Sequence, residues 1–197
     1  MKTGLESQRV PEGDVTSLLR EMRLEEAIRL LKRPGCKVDS AAVKAMILGY
    51  ETRANQMQTA GETGEARRMA RRAAALNGLL VHGPDPTQMV AETELPEGYA
   101  GKILLVLLTG GSFADMVCLR SGDDWHREIL HNTRAEIADL GFPDARVHPL
   151  GGAYAGFDSD GSIVIRGTSD EFGCCDKDLA ARLIARAYPG RMVTIED

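Results

Sequence analysis

The 197-residue chain is 43% hydrophobic and 27% charged, the balance of an ordinary globular protein with room for one sizeable core or two small ones. Its formal charge of −5 lies wholly in the C-terminal half: residues 1–100 carry 14 basic and 14 acidic side chains, residues 101–197 carry 10 and 15. That distribution argues against a nucleic-acid or membrane-surface role. The opening MKTGLESQRVPEG has no apolar signal core, and the longest apolar run, Ile103 to Leu108, is far too short to span a bilayer. A cytoplasmic protein is expected. Cys36, Cys118, Cys174 and Cys175 show no C-x-x-C spacing, which fits neither a disulfide framework nor a zinc site. Free thiols, with no metal and no cofactor, are the expectation.

Helical spacing of Leu18, Met22, Ala27, Ile28 and Leu31 predicts a helix over 15–32, closed by Pro34-Gly35. Further helices are predicted over 41–58 and 65–80, separated by Gly61-Glu-Thr-Gly64. The segments REMRLEEAIRLLKRPG and QTAGETGEARRMARRAAALNG resemble the second helix of a tetratricopeptide-type pair, a pattern that any packed helical hairpin also produces. Arg67, Arg68, Arg71 and Arg72 form a basic stripe that reads as a solvated face. The Pro-rich stretch 82–98, with His82 at its start, reads as a linker. Three units follow: a helical domain over 1–81, the linker 82–98 and a second domain over 99–197.

Beyond the linker the pattern changes. Lys102 to Thr109 and Ser112 to Arg120 read as a β-hairpin turning at Gly110-Gly111. A helix is predicted over 124–140, strands over 145–150 and 162–166, a helix over 176–187 and a strand over 191–195. The order is ββαββαβ, so the fold class is α+β: a C-terminal sheet with two helices, preceded by an all-α hairpin array.

At the stretch GDDWHREIL (122–130), the preceding Ser121 and Asp124 have capping-box spacing, which sets His126 in the first turn of the helix. Amides there lack intrahelical acceptors and the dipole is positive, so this end of a helix attracts anions and favours a neutral imidazole. An unprotonated ring nitrogen beside fixed donors suits phosphoryl transfer. The side chain is expected to be partly exposed. His131 and His148 have no comparable setting.

From Lys102 onward the chain resembles the Janus family, which includes the protein histidine phosphatases. Carrying the resemblance are Lys102, WHREI (125–129), LGGAY (150–154), GTSDEFG (167–173) and AYPG (187–190). It implies that His126 is catalytic and that Lys102, Ser169 and the backbone around Glu171 hold phosphate. It also implies that Arg120 stands for an arginine bordering the site. Arg127, inside WHREI, is counted with the phosphate-binding residues. Where the family usually has an arginine after the glycines this chain has Tyr154, and Arg166 is a candidate to replace that charge. Asp170 and Glu171 place negative charge near the expected phosphate. The implied function is phosphohistidine phosphatase or phosphoamidase activity on a phosphorylated protein or small phosphoramidate, without metal. A phosphate- or phosphopeptide-binding module with a helical adaptor is the alternative. A protein partner of the helical domain is expected, and no nucleic acid or membrane.

Overall fold

A computed structural model describes residues 12–122 and 125–196, and its fold is α+β. Four helices come first: α1 (Glu12–Arg20), α2 (Leu24–Leu31), α3 (Ser40–Thr59) and α4 (Thr63–His82). A short 3-10 turn (Pro86–Gln88) leads to β1 (Ala100–Gly110), β2 (Phe113–Ser121), α5 (His126–Asp139), β3 (Arg146–Phe157), β4 (Ile163–Arg166), α6 (Lys177–Ala187) and β5 (Val193–Ile195). The predicted ββαββαβ order is therefore the observed one. Among the described residues no helix is long and apolar enough to cross a membrane.

Close packing divides the chain into two units. One comprises the helices to residue 90 together with residues 139–142, and the other comprises residues 91–138 and 143 onward. The division falls within the stretch expected as a linker, 82–98. Helix α4 runs through His82, Pro86, Met89, Val90 and Leu95 are buried, and Thr93 makes an isolated bridge to Leu119.

In the helical unit the single helix expected over 15–32 is two, broken where Met22 takes a φ of 55°. The break is tertiary in origin. The Glu25 amide donates to the Gly141 carbonyl at 3.0 Å, and a Cβ on Gly141 would stand 1.9 Å from the Met22 carbonyl oxygen. Helix α3 starts on Asp39, whose carboxylate accepts from the Ala41 and Ala42 amides at 3.0 and 3.1 Å. The helices differ in length, α2 having 8 residues and α3 and α4 20 each.

The basic stripe on α4 is not simply a solvated face. Arg68 and Arg72 both grip Asp139, with N···O distances of 2.5 to 2.9 Å. Arg72 also stacks 5.7 Å from the Tyr50 ring centre.

The second unit is a five-stranded sheet in the order β2-β1-β3-β4-β5, antiparallel except for the parallel pair β4-β5, which α6 connects. Strand alternation sends Ile103, Leu105, Ala153, Ala155, Ile163 and Ile165 to one face, where Ala180, Leu183 and Ile184 of α6 cover them. Asp176 caps α6 by accepting from the Leu179 amide at 2.8 Å. Helix α5 lies on the opposite face, burying Ile129, Leu130 and Ile137. Strand β3, expected to stop at Leu150, continues through Gly151-Gly152 to Phe157. The β1-β3 ladder shifts register at Leu105/Val106, opposite these glycines, so the pair marks a bulge and a close approach rather than an end.

Burial pushes the Asp139 carboxyl up, but the hydrogen bonds and positive charge of Arg68 and Arg72 outweigh it and hold the group below its usual range. A depressed carboxyl stabilises the fold above its unfolded-state pKa, and that contribution is lost as pH falls through the folded-state value. Asp139→Asn is therefore expected to cost about 1–3 kcal/mol near pH 7. The difference between the two proteins should shrink progressively below about pH 4. Thermal melts of both proteins across this pH range check the sign.

Candidate active site

The site is built on one residue without a side chain. A Cβ on Gly152 would begin 2.5 Å from Cδ2 and Nε2 of His126 and 2.9 Å from Cβ of Ser169. Both side chains therefore pack over the bare backbone of β3. Gly151, with a φ of 117°, is equally constrained, since a Cβ there would stand 2.6 Å from the Cys174 carbonyl oxygen.

His126 is the first residue of α5 and only 8% exposed, more buried than expected for a first-turn side chain. Its Nε2 lies 3.1 Å from the Ala153 carbonyl oxygen. A carbonyl only accepts, so Nε2 carries a proton, and in the neutral ring the lone pair is on Nδ1. Nδ1 has no hydrogen-bond partner among the described residues. The Glu128 and Ile129 amides already donate to the Trp125 carbonyl, at 3.0 and 3.1 Å, which leaves the His126 and Arg127 amides without intrahelical acceptors. Ser121, the first residue of the expected capping box, ends β2, and its hydroxyl donates to the Glu94 carbonyl at 2.6 Å. Asp124, like Asp123, falls outside the described residues.

Ser169 is 3% exposed and opens a tight loop. Ser169 and Gly173 exchange backbone hydrogen bonds, and the Phe172 amide donates to Ser169 Oγ at 3.2 Å. The serine hydroxyl proton remains available to a ligand, as do the Asp170 and Glu171 amides, which donate to none of the described residues. The loop is stitched to the same glycine: the Gly152 amide donates to the Gly173 carbonyl at 3.0 Å and the Cys175 amide to the Gly152 carbonyl at 3.3 Å. The Asp170 and Glu171 side chains are exposed.

Lys102 of β1 pairs with Tyr154 of β3, two residues along from Gly152 and on the same face of the sheet. Its ammonium sits 4.3 Å from the centre of the Trp125 ring. Arg127 approaches the same ring at 5.9 Å. Tyr154 pairs in turn with Arg166 of β4, whose guanidinium lies 5.1 Å from the Tyr154 ring centre.

Arg120 does not border this site. It is 1% exposed, Nη1 donates to the Ala91 and Leu119 carbonyls at 2.8 and 3.1 Å, and Nε lies 3.7 Å from Oε2 of Glu136 on α5. It points from β2 into the layer between sheet and helix, where it holds that helix to the sheet. Buried charge is not distinguishable from exposed charge in a strand that reads simply as Leu-Arg-Ser. The other histidines stand apart: His82 and His131 are exposed, and exposed His148 meets only the Thr109 hydroxyl at 3.1 Å. All four cysteines are free, and burial raises Cys118 and Cys175 to about 11. Neither is activated as a nucleophile.

The structure thus brings together His126, Lys102, Ser169, Arg127 and the Glu171 backbone, and removes Arg120. The component that sequence reasoning missed is the Ala153 carbonyl, a backbone group that only strand pairing and the bare Gly152 place beneath the imidazole.

Replacing Gly152 by Ala should displace the imidazole. Overpacking of this size costs about 1–3 kcal/mol. The histidine Nε2–H resonance, protected in the parent protein, should exchange freely in the variant. Gly156→Ala on the same strand, where the nearest atom stands at 3.5 Å, serves as the comparison and should melt close to the parent. Nitrogen-detected NMR and thermal melts measure both effects.

No curated protein matches the chain at a significant level. The sequence model of the Janus/Ocnus family (Ocnus) does match, over residues 89–192, which is more than half of the chain and takes in every residue of the site. The ordered motifs and this match agree: the chain belongs to the Janus/Ocnus family.

Proposed function

We propose that the chain is a phosphohistidine phosphatase or phosphoamidase, cleaving a phosphorus–nitrogen bond with His126 as the reacting group. The observation that carries this reading is the Nε2–H bond to the Ala153 carbonyl, which commits one ring nitrogen and leaves the lone pair on Nδ1. In one route Nδ1 attacks phosphorus while the P–N bond breaks. The departing nitrogen keeps the bonding pair and takes a proton from water. A second water then hydrolyses phosphorylated His126, releasing inorganic phosphate. In the other route Nδ1 takes a proton from the water that attacks phosphorus as the P–N bond breaks, and the departing nitrogen keeps the bonding pair and takes up a proton from His126. The Lys102 ammonium, the Ser169 hydroxyl and the amides of His126, Arg127, Asp170 and Glu171 stabilise the charge on the phosphoryl oxygens.

A second reading, recognition without turnover, is favoured by Asp170 and Glu171, exposed on the turn that follows Ser169. Each carboxylate opposes the charge that grows in the transition state. Under either reading the helical unit is the docking surface for a protein partner. A groove of about 470 Å³ between α3 and α4, lined by Glu51, Ala54 and Asn55 of α3 and Ala70, Ala73, Ala74 and Asn77 of α4, is available for it.

Release of phosphate from a phosphohistidine peptide should be lost in His126→Ala. Because His126 is buried and hydrogen-bonded, that variant should also lose about 1–2 kcal/mol of stability. His126→Gln, which retains a donor, controls for folding. Lys102→Ala should reduce kcat/KM by about 10²-fold with residual turnover. His131→Ala and His148→Ala should stay near the parent rate. Undiminished turnover in His126→Ala overturns the mechanism. A phosphorylated His126 trapped during turnover selects the covalent route.

A further inference from the structure

The cations of this unit are held in more than one way. Arg186 and Arg191 lean on the carboxylates of Glu92 and Glu97, Arg191 also stacking on Phe157 and Tyr188, and Arg120 faces Glu136. Lys102 and Arg127 have no carboxylate partner among the described residues and lie instead against the Trp125 ring. Arg166 stacks on Tyr154, and its nearest carboxylate, Glu196, is 3.9 Å away with both side chains more than half exposed. The distinction is chemical. A carboxylate neutralises a cation and competes with any anionic ligand, whereas an aromatic face restrains the flexible stem and leaves the charge in place.

The register places these groups in one row. Lys102, Tyr154 and Arg166 are consecutive cross-strand neighbours on β1, β3 and β4, and Trp125 with Arg127 extends the row from the start of α5. Trp125 is 55% exposed and the Arg166 side chain 57% exposed, so the row faces solvent rather than the core. It carries positive charge in a half-chain that otherwise has an acidic excess, 15 acidic residues against 10 basic ones over 101–197. One phosphoryl group needs only the Lys102 end. Arg127 and Arg166, on either side of it, are surplus to a single anion.

The geometry points to a recognition rim for an acidic peptide segment: Arg127 and Arg166, carried on Trp125 and Tyr154, bind carboxylates that flank the phosphorylated residue of a protein substrate. This rests on the phosphoryl-site reading above and adds the substrate class: a phosphorylated residue in an acidic stretch, not an isolated phosphoramidate. Trp125 and Tyr154 add apolar faces against which the peptide backbone lies.

The test uses the full chain and its only tryptophan, Trp125, as a fluorescence reporter within the rim. Peptides bearing a stable phosphoryl-triazole mimic of phosphohistidine, with acidic or neutral flanks, are titrated at low ionic strength. An unphosphorylated acidic peptide and inorganic phosphate are titrated alongside. The acidic-flanked mimic should bind about tenfold more tightly than the neutral one, since exposed ion pairs contribute up to about fivefold each. The preference should fall as salt rises. Arg127→Gln and Arg166→Gln should each reduce the ratio of the two affinities by about threefold. Equal affinity for the two mimics, or a ratio that both substitutions leave untouched, overturns the rim and leaves the phosphoryl site standing. Binding of the unphosphorylated acidic peptide without any binding of phosphate or mimic supports the rim and overturns the phosphoryl site. No binding of any probe overturns both.

Discussion

The hydrogen bond from His126 Nε2 to the Ala153 carbonyl holds the candidate site together, and it forms only because Gly152 presents no side chain. Helix α5 approaches β3 closely enough for an imidazole to reach main-chain carbonyl, which a Cβ at this position would prevent. The same glycine receives Ser169 against its bare face, donates its amide to Gly173 and accepts from Cys175. Helix, strand and loop therefore meet at one residue of the sheet. The packing that seats the histidine also determines its tautomer, because the only neighbour it offers to Nε2 is an acceptor.

Charge is used in three ways in this molecule. Asp139, gripped by Arg68 and Arg72, is a clamp within the helical unit, and its depressed pKa expresses the strength of that grip. Arg120 and Glu136 form a pair inside the second unit, where desolvation leaves little net gain but makes loss of either partner costly. Beside His126, Lys102 and Arg127 lie on the Trp125 ring with no carboxylate partner among the described residues. The first two arrangements serve the fold. The third orients positive charge without cancelling it, the condition an anion-binding surface requires.

Local chemistry carried much of the architecture. Strand-length apolar runs, helical periodicity and the turn at Gly110-Gly111 yield the ββαββαβ order, because these features act over a few residues and are written wherever they occur. The ordered motifs from Lys102 to Pro189 likewise marked the family. The exceptions share one cause. The helix over 15–32 breaks at Met22 because Gly141, more than a hundred residues away, takes its place beside the backbone. Strand β3 continues past Leu150 because a long ladder to β1 accommodates two glycines that read locally as a stop.

The sequence by itself determined the ββαββαβ order of the second unit and the family to which the chain belongs. Periodicity, turn residues and motif spacing are all short-range properties. Tertiary structure alone decided that Arg120 lies inside the sheet–helix layer, that Arg68 and Arg72 share Asp139, that the His126 proton sits on Nε2, and that Lys102 and Arg166 rest on rings. Each depends on a partner brought from a distant part of the chain. A charge acquires its role from the group placed opposite it, and strand register and helix packing supply that group only once the chain has folded.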